Sequence, residues 1–207
     1  MSHPIIKRDK ENLDNMATNC LSVTSGYCGS LCRNSAGGVS RFYIANISDV
    51  DASTMTVNTE GAITELDIDI LYCYVPYVDS SNWTETINVS PENGTIYYEQ
   101  VANMVLGANS QSLRNIVEQL GHAGNIVLIV LDNNDRYWLI GDPTGKKVTY
   151  LSGGDSNSGT ALGDRNGYSL NITCRNSKPA TELLPANASE LASAIAAADA
   201  VCDGSAS

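Results

Sequence analysis

The stretch "NIVLIVLDNNDRYWLIGDPTG", residues 125–145, joins the most apolar run of the chain to four consecutive Asp and Asn residues. Those four, Asp132, Asn133, Asn134 and Asp135, either gather around a cation or reverse the chain between two strands. A calcium loop places oxygen ligands at positions 1, 3, 5 and 12, the last a bidentate Glu. Counting from Asp132, position five is Arg136 and position twelve is Pro143, so the pattern fails. The reading is a hairpin loop with Asn in a left-handed conformation. "GDPTG" at 141–145 places Asp, Pro and Gly where a type I turn favours them. "GDRNG" at 163–167 repeats the spacing and offers Asn166-Gly167 for a positive φ.

Outward from this stretch, the pattern from "VSRFYIANI" (39–47) onward is β, with Tyr, Ile, Val and Thr at period two and Gly, Asn, Asp and Pro between. Further strands are read at "TMTVN", "AITELDI", "ILYCYVPYV", "TETINVS", "GTIYYEQVANMVL", "RYWLIGD", "KKVTYLS" and "GYSLNITCR". In "TETINVS", Thr84, Thr86, Asn88 and Ser90 share one face and Glu85, Ile87 and Val89 the other. Neither face is fully apolar, which suits an edge or a protruding hairpin. "SQSLRNIVEQLGHAG" places Leu113, Ile116, Val117 and Leu120 on one stripe, a helix ended by Gly121 or Gly124. "ASELASAIAAADAVCDG" is a second, Ala-rich helix with Ser189 as N-cap, expected to dock on a neighbouring molecule or to stay mobile. The fold class is therefore mainly β, a sandwich or barrel with one flanking amphipathic helix and a short C-terminal helix. Its divisions are an N-terminal arm at 1–38, a β domain at 39–180 with its helix near 111–122, and a C-terminal helical tail at 181–207.

A net charge of −11 argues against general nucleic-acid binding, which rests on Lys and Arg neutralising phosphates. Between Arg41 and Arg114 there is no Lys or Arg, against ten carboxylates from Asp49 to Glu99. This stretch reads either as a solvated face spread over several strands or as a surface that repels DNA or meets a basic partner. The first twenty residues hold no apolar core of a signal peptide, so a cytoplasmic origin is expected. Six Asn-x-Ser/Thr sequons follow from an Asn-rich composition on that view. The six cysteines, at 20, 28, 32, 73, 174 and 202, are then expected as free thiols. Cys28 and Cys32 lack the second pair or the histidines that zinc needs, the two histidines being His3 and His122.

No catalytic, cofactor-binding or metal-binding residue is singled out. His122, just past a helix end, suits the helix dipole better than a base's role. "SGGDSNSG" and "GDRNGYSL" contain glycines but no strand–turn–helix context for a phosphate loop. The carboxylates cannot be paired from sequence into an acid/base couple.

The segments "GGVSRFYIANISDV", "TETINVSPENGTIYYEQVANMVL", "SLRNIVEQL", "IVLIVLDNNDRYWLIGDPTG" and "SGTALGDRNGYSLNI", in this order over about residues 37–180, resemble virion structural proteins of gut phages that infect Bacteroidetes, the crAss-like group included. The family usually carries Gly where this chain has Asp135, and a strand with a Glu-Pro-like turn where this chain has "CRNSKPA". The resemblance implies a non-enzymatic tail-tube or connector protein of the virion, assembled in the host cytoplasm without cofactor. Its partners would be itself, in rings of six or twelve, and neighbouring tail or portal proteins, with no sequence-specific nucleic acid and no membrane. The acidic stretch would then line the lumen of the ring. A capsid-decorating, head-fibre or receptor-binding module presenting Tyr77, Trp83 or Tyr97 is the alternative, and a cell-wall-degrading enzyme a distant third.

Overall fold

The computed structural model describes residues 35–144, 149–185 and 189–203. The expected N-terminal arm therefore lies outside the described residues up to residue 34, as do Cys20, Cys28, Cys32 and the start of "KKVTYLS". The eleven strands are β1 (Val39–Asn46), β2 (Val50–Val57), β3 (Ile63–Ile68), β4 (Tyr72–Tyr74), β5 (Asn82–Ser90), β6 (Thr95–Gly107), β7 (Ile126–Asp132), β8 (Tyr137–Ile140), β9 (Tyr150–Asn157), β10 (Gly167–Asn176) and β11 (Thr181–Leu183). Helix α1 (Gln111–His122) follows β6, and α2 (Glu190–Cys202) follows β11.

The strands form two sheets, one ordered β2-β3-β11-β8-β7-β1-β4 and the other β5-β6-β10-β9. Both remain open at their edges, so the chain is a β sandwich rather than a barrel. β7 runs between β1 and β8 in the middle of the larger sheet, and Ile126 to Val130 are all at most 2% exposed. Successive side chains point to opposite faces of a strand, so both faces of β7 must be covered. Ile126, Leu128 and Val130 join Phe42, Met104 and Ile172 in a core between the sheets. Val127 and Ile129 join Tyr43, Leu66, Leu139, Leu191 and Ile195 in a second core under α2. The result is three layers: the small sheet with α1, the large sheet, and α2.

α1 starts at Ser110, whose hydroxyl accepts from the Leu113 amide, and its last turn is capped at Ala123, so Gly121 lies inside the helix. Leu120 is buried, while Leu113 and Val117 pack against the inner core. α2 starts at the expected cap, Ser189, which accepts from the Ala192 amide. It packs on the chain's own large sheet, and three groups pin it there. Tyr43 donates to Asp199 at 2.8 Å, and Arg41 bridges Asp199 at 2.6 Å and Asp203 at 2.9 Å. Burial and then the Asp199 hydrogen bond push the Tyr43 phenol up, so it stays a donor.

The third pin corrects the expectation of free thiols. Cys73 of β4 and Cys202 in the last turn of α2 form a disulfide, with Cα atoms 6.1 Å apart and a sequence separation of 129. Cysteine spacing carries no trace of that pairing, because only the packing of α2 across the β4 edge creates it. Cys174 is buried in the inner core.

One turn expectation also changes. Asn166 and Gly167 do not take a positive φ; Gly159 does, at 75°. Gly167 is needed instead for close approach, since a Cβ there would meet the Leu106 carbonyl oxygen at 2.0 Å. β9 runs through "SGGDSN", and at its Gly154 a Cβ would meet the Ser169 carbonyl oxygen at 2.6 Å.

Closing a loop of this length restricts the unfolded chain, and a disulfide of this kind contributes about 2–4 kcal/mol. Reductant is expected to lower the melting temperature of the wild type by several degrees and to leave Cys202→Ser unchanged. Equal melting of the variant and the oxidised wild type would show that the noncovalent pins suffice.

Candidate functional site

The DNND turn answers the question its sequence raised. Asp132 accepts from the amides of Asn134 at 2.8 Å and Arg136 at 3.0 Å, and from the Trp138 indole at 3.1 Å. Asp135 occupies the left-handed region at φ 60°. Both asparagines turn outward to hold the incoming chain. Asn134 exchanges two hydrogen bonds with the Ala36 backbone at 2.7 and 2.9 Å, and Asn133 donates to the Gly37 carbonyl at 2.7 Å. The turn thus fixes where residues 35–38 enter the sandwich. Trp138 in turn stacks on Trp83 of the opposite sheet, ring centroids 5.6 Å apart.

A buried polar joint ties the sheets at a second point. Gln100, fully buried on β6, accepts from the Gly141 amide at 2.9 Å and donates to Glu85 at 3.0 Å and the Lys178 carbonyl at 3.3 Å. Glu85 also accepts from the Ala180 amide at 2.6 Å. A carboxylate on the core side of β5 is therefore satisfied by two neighbours, Gln100 and the Ala180 amide.

Beyond this joint the β5–β6 hairpin outruns its sheet. Its ladder continues to Ser90–Thr95, whereas the last β10 pair is Asn176–Tyr98. Residues 88–97 consequently project past β10 by roughly 10 Å plus their turn. Ile87, Val89 and Ile96 share the face that Trp83 and Ala102 direct into the core, yet they are 60%, 61% and 50% exposed. Tyr97, on the other face beside Asn88, is also exposed. An apolar strand surface exposed in this way is of the kind that interaction sites use.

A second apolar surface lies at the β4 edge of the large sheet. A groove of about 780 Å³ runs between α1 and α2, with Ile70, Tyr72 and Val75 along it, Ile116 on one wall and Val201 on the other. Ile70, Tyr72, Val75 and Val201 are each half exposed or more. At one end Asp69 belongs both to this groove and to a recess of about 260 Å³ shared with Asp49, Asp51 and Asp67. Glu190, at the start of α2, is held above the usual carboxylate range by its hydrogen bond to Asp67 and by the nearby charges of Asp67, Asp69 and Glu65.

The acidic stretch is therefore not one uniform face. Glu85 is half-buried, Glu99 pairs with Arg175 at 2.8 Å, and Asp49, Asp51, Asp67 and Asp69 converge on the recess beside the groove. Of the aromatic residues singled out for binding, Tyr77 and Tyr97 are exposed, whereas Trp83 is half-buried between the sheets. His122 occupies the last turn of α1. Among the described residues no group of three or more His, Cys, Asp or Glu is arranged to hold a metal ion, and no helix is long and apolar enough to cross a membrane.

No family model matches the sequence, and no curated protein matches it. Among solved structures, a chain of the "Virion of native gene transfer agent (GTA) particle" is similar at a TM-score of 0.34 and 5% identity, the match spanning 66% of this chain and 97% of that one. A likeness of that strength carries no argument about this chain.

Asp132 supplies a pH test of the turn. Burial opposes its ionisation, but the Arg136 amide, the Trp138 indole and the Asn134 amide outweigh that and hold its carboxyl below the usual range. A depressed carboxylate stabilises above its unfolded value of about 3.9, and the contribution is lost as pH falls through the folded value. Asp132→Asn is expected to cost about 1–2 kcal/mol at pH 7 and to flatten the decline in stability of the wild type below pH ~4. Parallel pH–stability curves for the two proteins would refute this account of the turn.

Proposed function

We propose that the chain is a non-enzymatic structural protein of a bacteriophage virion, a subunit of the tail or connector region that assembles head-to-tail into closed rings of its own copies. One observation carries this reading: the projecting β5–β6 hairpin, whose core-side face of Ile87, Val89 and Ile96 continues past its own sandwich uncovered. A hairpin of continuous ladder is rigid enough to present that face to a partner. Covering each of the three side chains contributes about 1 kcal/mol or more to association. The groove between α1 and α2 is a second, different apolar surface on the same chain. Two unlike surfaces on one chain produce heterologous contacts, which close into rings when the rotation per subunit permits.

The sequence resemblance over residues 37–180 supplies the virion context, and with it six or twelve subunits and neighbouring tail or portal proteins as partners. Nothing in the turn or in the buried Gln100–Glu85 joint calls for chemistry, since each polar group there is engaged in holding strands together.

Light scattering across a hundredfold range of concentration tests the reading. The wild type is expected to pass from monomer to a discrete closed species. Ile87→Asp combined with Ile96→Asp, both at exposed positions, is expected to raise the apparent dissociation constant about a hundredfold with an unchanged melting temperature. A wild type that stays monomeric throughout, or assembles as a trimer, would refute the ring.

A further inference from the structure

We propose that the groove between α1 and α2 receives the N-terminal segment of a second copy of this chain, with Ile5 and Ile6 in the groove and Lys7, Arg8 and Lys10 against its acidic end. The inference rests on the self-assembly proposed above and names the contact that drives it.

The groove is an open sheet edge with walls. β4 is the last strand of the large sheet, paired on one side with β1. α1 and α2 rise on either side of it, and the exposed Ile70, Tyr72 and Val75 line its course. An exposed strand edge inside an apolar groove suits an extended apolar peptide, which can pair with the edge and seat its side chains on the walls.

Charge selects which peptide. At the Asp69 end stand Asp49, Asp51 and Asp67, with Glu190 beside Asp67. The ion pairs among the described residues join Arg41, Arg136 and Arg175 to Asp199, Asp203, Glu182 and Glu99, and none of them reaches this cluster. From residue 42 to residue 113 the chain supplies no Lys or Arg. A ligand for this groove is therefore apolar over the β4 edge and basic at the Asp69 end. The sequence "PIIKRDK", residues 4–10, has that order: two isoleucines followed at once by Lys7, Arg8 and Lys10.

Reach is sufficient. The described chain begins at Ser35, held at the DNND turn through Ala36 and Gly37. β1 then runs its eight residues to Asn46, which lines the groove, so the entry point is about 25 Å from it. Residues 1–34 could extend to roughly 110 Å, ample to reach the groove of an adjacent copy.

Two full-length variants test the assignment. The first carries Lys7→Glu, Arg8→Glu and Lys10→Glu; the second carries Asp69→Lys and Glu190→Lys, both at exposed positions. Each is expected to assemble at least about tenfold more weakly than the wild type, with an unchanged melting temperature. Mixing the two is expected to restore assembly, because the acidic groove of the first variant accepts the basic segment of the second, and the basic groove of the second accepts the acidic segment of the first. Combining all five substitutions in one chain is expected to restore the wild-type species. Assembly of both variants as strongly as the wild type would overturn the inference while leaving the ring intact. Restoration in the combined chain without restoration in the mixture would place the segment in the groove of its own chain and overturn the exchange between copies. A wild type that never assembles would instead refute the ring reading itself.

Discussion

Everything in this sandwich depends on covering β7 twice. Ile126 to Val130 expose almost nothing on either face, and a strand can be dry on both sides only if its sheet has a layer above and a layer below. The four strands of the small sheet and α1 supply one layer. The other is α2, a helix of small residues whose Leu191, Ile195 and Ala198 fill the space over Tyr43, Leu66 and Leu139. An Ala-rich helix buries little area by itself, which accounts for its three separate pins. Arg41, Tyr43 and Cys73 all lie on β1 or β4, so the helix is held at the same margin of the sheet that β7 needs covered.

The layers are unequal in extent, and the exposed apolar surfaces arise from that mismatch. The small sheet has four strands against seven, and its β5–β6 hairpin is longer than the β10 that backs it. Where Glu85 and Gln100 close the core with a satisfied polar joint, the apolar face of the hairpin carries on into solvent. At the other margin, α1 and α2 flank β4 without meeting over it. The buried core and the exposed apolar surfaces thus belong to one pattern of apolar residues, divided by where each layer happens to end.

Much of the fold was legible in local pattern. The strands of "IVLIVLD" and "RYWLI", the α1 stripe of Leu113, Val117 and Leu120, and the Ser189 cap depend on neighbours within a few residues, and the structure has each of them. The two-faced composition of "TETINVS" already marked an edge or projecting hairpin, and β5 is both. What stayed hidden depends on distant partners. β11 is three residues long and meets β3 in a single parallel pair, Leu183 with Ile63, so nothing local announces it inside the expected helical tail. Gly167 reads as a turn residue, yet it is there, like Gly154, because a neighbouring strand passes too close for a side chain. The groove and its acidic end join residues from near 49, 69, 116 and 201, and no motif spans that range.

The disulfide also changes the topology of the molecule as a covalent object. Residues 73 to 202 form a closed ring, and everything before Cys73 hangs from it as a tail. The projecting turn at 91–94 and the loop around the fully exposed Leu162 both lie within that ring. A protease that cuts either one opens the circle without releasing a fragment, so in the oxidised protein the most accessible peptide bonds can be severed while every strand stays tethered to the rest.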